Sequence, residues 1–102
     1  MGLLSALFGG KQKKIKAYME RSATLLDVRT PGEFKTGSVK NAINIPLDKL
    51  STNLKKVPQD KPVIVFCRTG SRSAMAKRIL TQKGYDVLNG GGWGSVDAAL
   101  KG

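Results

Sequence analysis

The chain of 102 residues contains no histidine and one cysteine, Cys67. Without histidine, Ser-His-Asp and Cys-His nucleophile systems are excluded, as is imidazole metal ligation. A single cysteine permits no intrachain disulfide and no thiolate cluster for zinc or iron–sulfur. No metal and no cofactor is therefore expected. Acidic residues are scarce, 7 Asp plus Glu against 18 Lys plus Arg, so the formal charge is +11. Long apolar runs are also missing: nothing approaches the about 20 residues that a membrane-spanning helix needs. What is present is an ordinary globular composition, 40% hydrophobic and 25% charged, which excludes a disordered or collagen-like chain. The length suits one compact domain with its own core. Any chemistry must come from Cys67, carboxylates, Lys, Arg or the backbone.

The first eight residues, Met1-Gly-Leu-Leu-Ser-Ala-Leu-Phe8, are apolar and are followed by Gly9-Gly10 and a lysine cluster at 11, 13, 14 and 16. A secretory signal carries its charge before the apolar stretch, and a myristoylation signal wants Ser or Thr where Ala6 stands. Neither fits, so the body of the protein is expected in the cytoplasm. Residues 1–14 read as an apolar and basic N-terminal segment, and 15–102 as a single domain. Residues 1–16 offer a weak contact with an anionic membrane surface. A terminal segment that frays or packs on the core is the plainer reading, and we favour it.

Further along, strand and helix patterns alternate. Ile15, Tyr18 and Met19 set one face of a helix over 11–21. Strands are expected at Thr24–Val28, Ala42–Ile45, Val63–Phe66 and Tyr85–Leu88. Thr30-Pro-Gly-Glu33 has the form of a capping box with proline at the first helical position, and Gly37 ends that short helix. Leu47, Leu50, Leu54 and Val57 predict a helix stopped by Pro58. Ala74, Met75, Ile79 and Leu80 mark a longer one closed by Gly84. Asn89-Gly-Gly-Gly92 reads as a tight turn before a last helix carrying Trp93, Val96 and Leu100. Four unbroken β-favouring residues, Val63-Ile-Val-Phe66, fit a strand covered on both faces. The alternation predicts an α/β fold with a mainly parallel sheet, whose ligands bind beyond the carboxyl ends of the strands.

Cys67 stands at that end of the most apolar strand. A lone cysteine is commonly a small buried hydrophobe. Its neighbours, Arg68-Thr-Gly-Ser-Arg72 and a helix beginning near Ser73, point elsewhere. A thiol of pKa about 8.5 is mostly protonated at neutral pH. A helix N-terminus, a short loop curled by Gly70 and the charges of Arg68 and Arg72 all favour the thiolate. No acidic residue lies between Asp60 and Asp86 to oppose them. Cys67 is thus the candidate nucleophile. Arg72, with Arg68 at the mouth, offers guanidinium donors to an anionic substrate. Thr69, Ser71 and Ser73 offer hydroxyls, although Ser71 or Ser73 equally suits a helix cap.

Four segments in order, LLDVRTPGEF, NAINIPLDKL, VIVFCRTGSRSAMAKRIL and GYDVLNGGGW, resemble a single-domain rhodanese, a sulfurtransferase. The resemblance covers roughly residues 22–97 and is most specific in the cysteine loop. It implies a rhodanese-like α/β fold: a mainly parallel sheet of four to five strands, flanked by helices on both faces. It also implies that Cys67 takes a sulfane sulfur from a donor such as thiosulfate, holds it as a persulfide, and passes it to a thiophilic acceptor such as cyanide, a thiol or a thiol protein. Arg68, Thr69, Gly70, Ser71 and Arg72 would cradle substrate and persulfide. Two departures stand out: no strand is evident in residues 1–14, and Gly37-Ser38 stands where the family often has Gly-His. Asp27, Arg29 and Glu33 match a family motif that reads as a salt-bridged scaffold near the site.

Two chemistries with similar parts fit less well. Dual-specificity phosphatases use Cys-x5-Arg, whereas Cys67 to Arg72 is Cys-x4-Arg, a tighter cup that suits sulfur better than a phosphoryl group. Thioredoxin-type exchange lacks a second cysteine. From a different class, a non-enzymatic persulfide carrier or a protein-binding module is the alternative. The 13 lysines are dispersed and not interleaved with aromatics, so the charge reads as a solvated surface that steers anions, with no nucleic-acid partner. A monomer is expected.

Overall fold

A computed structural model describes the backbone of residues 2–102 and the side chains from Gly9 onward. Four strands are described: β1 (Thr24–Asp27), β2 (Ile43–Asn44), β3 (Val63–Cys67) and β4 (Val87–Gly92). They form one sheet in the order β2-β1-β3-β4, with every pairing parallel. The α-helices are α1 (Gly2–Glu20), α2 (Pro31–Lys35), α3 (Ser71–Gln82) and α4 (Trp93–Lys101). The sheet therefore has four strands among the described residues, and where a fifth was in question the chain is helical.

The side-chain period of two divides β3 between two cores. Val63, Val65 and Cys67 face Leu50, Val57, Ala76 and Leu80. Ile64 and Phe66 face Ile15, Val96 and Ala99. All five β3 residues are buried, as a strand covered by helices on both faces requires. The same parity directs the Cys67 side chain toward α3.

Several boundaries differ from the sequence reading, each for a local reason. Helix α1 starts at Gly2, well before residue 11, and runs on through Gly9, Gly10 and position 14. A helix tolerates glycine at about 1 kcal/mol each. The apolar side chains of residues 1–8, on which a lipid contact would rest, lie outside the described residues. The Leu47–Val57 segment is not one α-helix but two 3-10 helices, Leu47–Thr52 and Leu54–Lys56. Asn53 leaves helical geometry at φ −127°, and its amide donates to the Lys49 carbonyl at 2.7 Å. Strand β2 is only two residues long, since Ala42 is held in a turn by the Val39 carbonyl.

The largest correction concerns β4. Tyr85 precedes the strand, and its hydroxyl donates to the Val57 carbonyl at 2.7 Å. Asn89–Gly92 is strand, not turn. The register passes from Val65 opposite Asn89 to Phe66 opposite Gly91, so Gly90 is a bulge. The glycines permit close approach: a Cβ would lie 2.6 Å from Val96 Cγ2 at Gly90 and 2.7 Å from the Arg68 carbonyl oxygen at Gly92. Gly92 thereby seats the strand end against the cysteine loop.

Candidate active site

Strand β3 ends at Cys67, a three-residue loop follows, and α3 begins at Ser71. Gly70 makes the bend at φ +111°, a region closed to most side chains, and is the residue that caps α3. Neither Ser71 nor Ser73 is that cap. The bend aims the Gly70 N–H at Cys67 Sγ, 2.9 Å away. Ser73, fully buried on the first turn of α3, brings its hydroxyl to 3.4 Å from the sulfur.

Cys67 is 1% exposed, and burial is the largest influence on its acidity, pushing the thiol up. That influence is outweighed by the Ser73 hydroxyl and by the N–H groups of Ser73, Gly70 and Thr69, which together bring the thiol below its ordinary value. The largest influences that favour the thiolate are thus one hydroxyl and three amides, ahead of the two arginines.

The arginines are placed differently from one another. Arg72 forms a bidentate ion pair with Glu33, with Nη1 to Oε1 at 2.7 Å and Nη2 to Oε2 at 3.0 Å. Its acidity is weakened first by that hydrogen bond, and the nearby Cys67 charge adds to the effect. Glu33 is held at about 2, chiefly by Arg72 and then by the Thr30 N–H. The carboxylate has two tasks, since Oε1 also accepts from Thr30 N and completes the capping box of α2. Arg68 is exposed and enters no ion pair among the described residues. Thr69 and Ser71 are also exposed, at the rim of the loop.

Behind the loop lies a buried scaffold. Asp27 accepts from Arg29 Nη2 at 2.7 Å and from the Ser38 hydroxyl at 2.7 Å. Arg29 also donates to the Gly37 carbonyl and stacks on Trp93, its guanidinium carbon 5.1 Å from a ring centroid. Asn44 Nδ2 donates to the Asp27 and Arg29 carbonyls. This fits the structural role read for Asp27 and Arg29, whereas Glu33 reaches out to the cysteine loop.

Glu33 is salt-bridged near the site as read from the sequence, but its partner Arg72 was not foreseen, and Asn89 was missed altogether. Glu33 holds Arg72 from 39 positions away. Asn89, on β4, accepts from the Ser73 hydroxyl at 2.7 Å. A groove of about 300 Å³, lined by Val28, Thr30, Pro46, Leu47, Asp48 and Arg72, opens beyond β1 and β2 and meets the loop at Arg72. A larger groove, about 520 Å³, runs along α3 and does not include the thiol.

Residues 11–96 match the family model of the rhodanese-like domain. The chain is 38% identical over 66 residues to a sulfurtransferase of Allochromatium vinosum, covering 64% of this chain and 62% of that protein. It is 40% identical over 70 residues to the thiosulfate sulfurtransferase PspE of Escherichia coli, covering 66% and 67%. The chain thus spans somewhat under two thirds of the first relative's length. A solved structure described as a rhodanese with anions from E. coli superposes with a TM-score of 0.67 at 36% identity, over 72% of this chain and 89% of that one. With a parallel four-stranded sheet, a thiol at the end of the interior strand β3 and a family match across most of its length, this chain belongs to the rhodanese-like domain family.

Proposed function

We propose that the protein moves a sulfane sulfur from a small anionic donor such as thiosulfate to a thiophilic acceptor, through a persulfide on Cys67. The Cys67 thiolate attacks the outer sulfur of the donor. A new S–S bond forms while the old one breaks, and its electron pair leaves with sulfite. Cyanide, a thiol or a thiol protein then attacks the terminal sulfur, and the S–S pair returns to Cys67 as thiolate. Neither half requires a metal, a cofactor or an outside oxidant.

The observation that carries this reading is the 2.9 Å contact from the Gly70 N–H to a buried sulfur, in a thiol whose acidity is raised despite its burial. Amides that hold a thiolate also suit the charge of a persulfide and of departing sulfite. In this reading Arg68 and the rim hydroxyls of Thr69 and Ser71 meet the donor's charge. Arg72, already engaged by Glu33, shapes the wall and offers its remaining N–H groups. The E. coli structure described with anions supports an anionic donor. The lone thiol, with no disulfide partner, supports a reducing cytoplasm as its place of work. No helix among the described residues is long and apolar enough to cross a membrane.

Intact mass after thiosulfate treatment tests the proposal. The natural chain should gain one sulfur and lose it to cyanide, and Cys67→Ser should gain none. A gain that cyanide or thiols fail to discharge at a catalytic rate would favour a carrier that needs a partner protein. Absence of any gain with a titratable thiol would favour a binding module.

A further inference from the structure

Ser73 has one hydroxyl proton and three neighbours for it. Its Oγ lies 3.4 Å from Cys67 Sγ, 3.0 Å from the Gly70 carbonyl and 2.7 Å from Asn89 Oδ1. The Gly70 carbonyl already accepts from Ala74 N at 3.0 Å and from Asn89 Nδ2 at 3.3 Å. The orientation of the Asn89 amide is fixed by its other partners. Oδ1 accepts from Gly91 N at 2.9 Å, so a flipped amide would set two donors against each other. Oδ1 therefore faces Ser73 as an acceptor, and the hydroxyl proton belongs to that shortest bond. The Ser73 oxygen is left to accept from the thiol 3.4 Å away.

We propose that Asn89 is a positioning residue that holds the Ser73 hydroxyl proton away from Cys67, so that the sulfur gains this donor only when the Asn89 bond is given up. When Cys67 ionises, its proton leaves to solvent and the Ser73 O–H turns from Asn89 Oδ1 to Sγ. The thiol's bond to the Ser73 oxygen is replaced by the reverse one, and Asn89 Oδ1 keeps its bond from Gly91 N. Asn89 thus opposes the loop amides, favouring the protonated thiol while they favour the thiolate. Persulfide formation also leaves Sγ without a proton, so the same turn accompanies sulfur loading; this consequence rests on the function proposed above.

The charged groups facing the site are Arg68 on the loop, Arg72 of α3 with Glu33 of α2, Asp27 with Arg29 behind β1, Asp48 across the groove, Lys77 and Arg78 of α3 in the groove that Asn89 lines, and Lys11 of α1 beside Gly91. Strand β4 carries no titratable group. Substituting Asn89 alters none of these charges.

Cys67 is the only cysteine, so the pH profile of iodoacetamide alkylation reads it directly. Asn89→Ala should lower the midpoint by roughly half to one pH unit, the worth of one ordinary hydrogen bond. Ser73→Ala should raise it. In the Ser73→Ala background, Asn89→Ala should produce no fall. Should Asn89→Ala fail to fold, Asn89→Ser, which also removes the Oδ1 that Ser73 bonds, gives the same comparison. A midpoint that rises on removing Asn89, or that falls equally without the Ser73 hydroxyl, overturns the proposal. Sulfur transfer is not part of the readout. A natural chain that alkylates like a simple peptide thiol would count against the sulfurtransferase reading, whereas the sign of the Asn89 effect and its dependence on Ser73 bear on this proposal alone.

Discussion

Replacing Gly70 by alanine separates the two tasks that the loop assigns to one residue. The first is conformational. At φ +111° an L-residue is strained, at about 1–2 kcal/mol for the left-handed region. A Cβ there would meet Gly91 Cα at 3.4 Å, ordinary contact, so the cost comes from the backbone angle rather than from a clash. For a domain of this length each 1 kcal/mol lowers the melting temperature by about 4–8 °C, which places the expected fall at about 4–16 °C. The second task is electrostatic. If the peptide relaxes out of the bend, its N–H swings away from Cys67 Sγ, where it now lies at 2.9 Å. A hydrogen bond to a charged acceptor is worth about 1.5–3 kcal/mol, so the ionisation midpoint of Cys67 should rise by roughly one to two pH units. Thermal unfolding reads the first effect, and the pH profile of alkylation reads the second. A variant whose residue 70 amide is seen by NMR to leave the bend while its thiol midpoint stays put would refute the claim that this amide sustains the thiolate.

Four further outcomes follow from the site. Arg72→Ala should slow sulfur transfer by about 10²–10³, the usual cost of removing a donor that faces developing charge, measured as kcat/KM with thiosulfate and cyanide. Glu33→Gln should flatten acid unfolding between about pH 4.5 and 2: the carboxyl lies at about 2 in the folded protein, so its pairing contributes stability above pH 4.5 that is lost as pH falls. The pair is partly exposed, so the effect in denaturant titrations should be no more than about 1 kcal/mol. Ser38→Ala removes a donor to the buried Asp27 carboxylate and should cost about 1.5–3 kcal/mol in urea unfolding, with the alkylation profile unchanged. Raising ionic strength from 0.01 to 1 M shortens the screening length from about 30 to 3 Å; kcat/KM for an anionic donor should fall, while the Cys67 midpoint should barely move.

How far the sequence was legible depends on the range of the interactions involved. The β3 strand and the capping box at Thr30–Glu33 could be read directly, because each is decided by neighbours along the chain. Leu47, Leu50, Leu54 and Val57 were misread as one α-helix because a step of three residues is shared with the 3-10 helix, and the break at Asn53 rests on its bond to Lys49. Three consecutive glycines read as a turn until Val96 and the Arg68 carbonyl are placed beside them. Cys67 was identifiable from its place after the most apolar run and before a basic, glycine-containing loop. Its partners were less so. The arginines beside it in sequence drew attention, yet one is turned to Glu33 and the other to solvent. Ser73 and Asn89 lie 16 positions apart, and only the packing of α3 against β4 joins them.

That division explains how a chain with no histidine can keep a reactive thiol. A guanidinium acts over many ångströms but is screened by water and salt, and its flexible side chain must be ordered before it helps. A backbone N–H carries less charge but is held in place by the fold, so little reorganisation remains when the sulfur ionises. In this loop the short-range donors are aimed at Sγ from a buried position, where each counts for more. The long-range charge is kept at the rim on Arg68, where it meets an incoming anion before the sulfur does. Tying Arg72 to Glu33 fits the same logic: the pair fixes the loop wall to α2 and partly offsets the Arg72 charge, while its remaining N–H groups stay available to an anion. The acidity of Cys67 is therefore altered chiefly through Gly70 and Ser73, and the capture of its donor chiefly through Arg68 and Arg72.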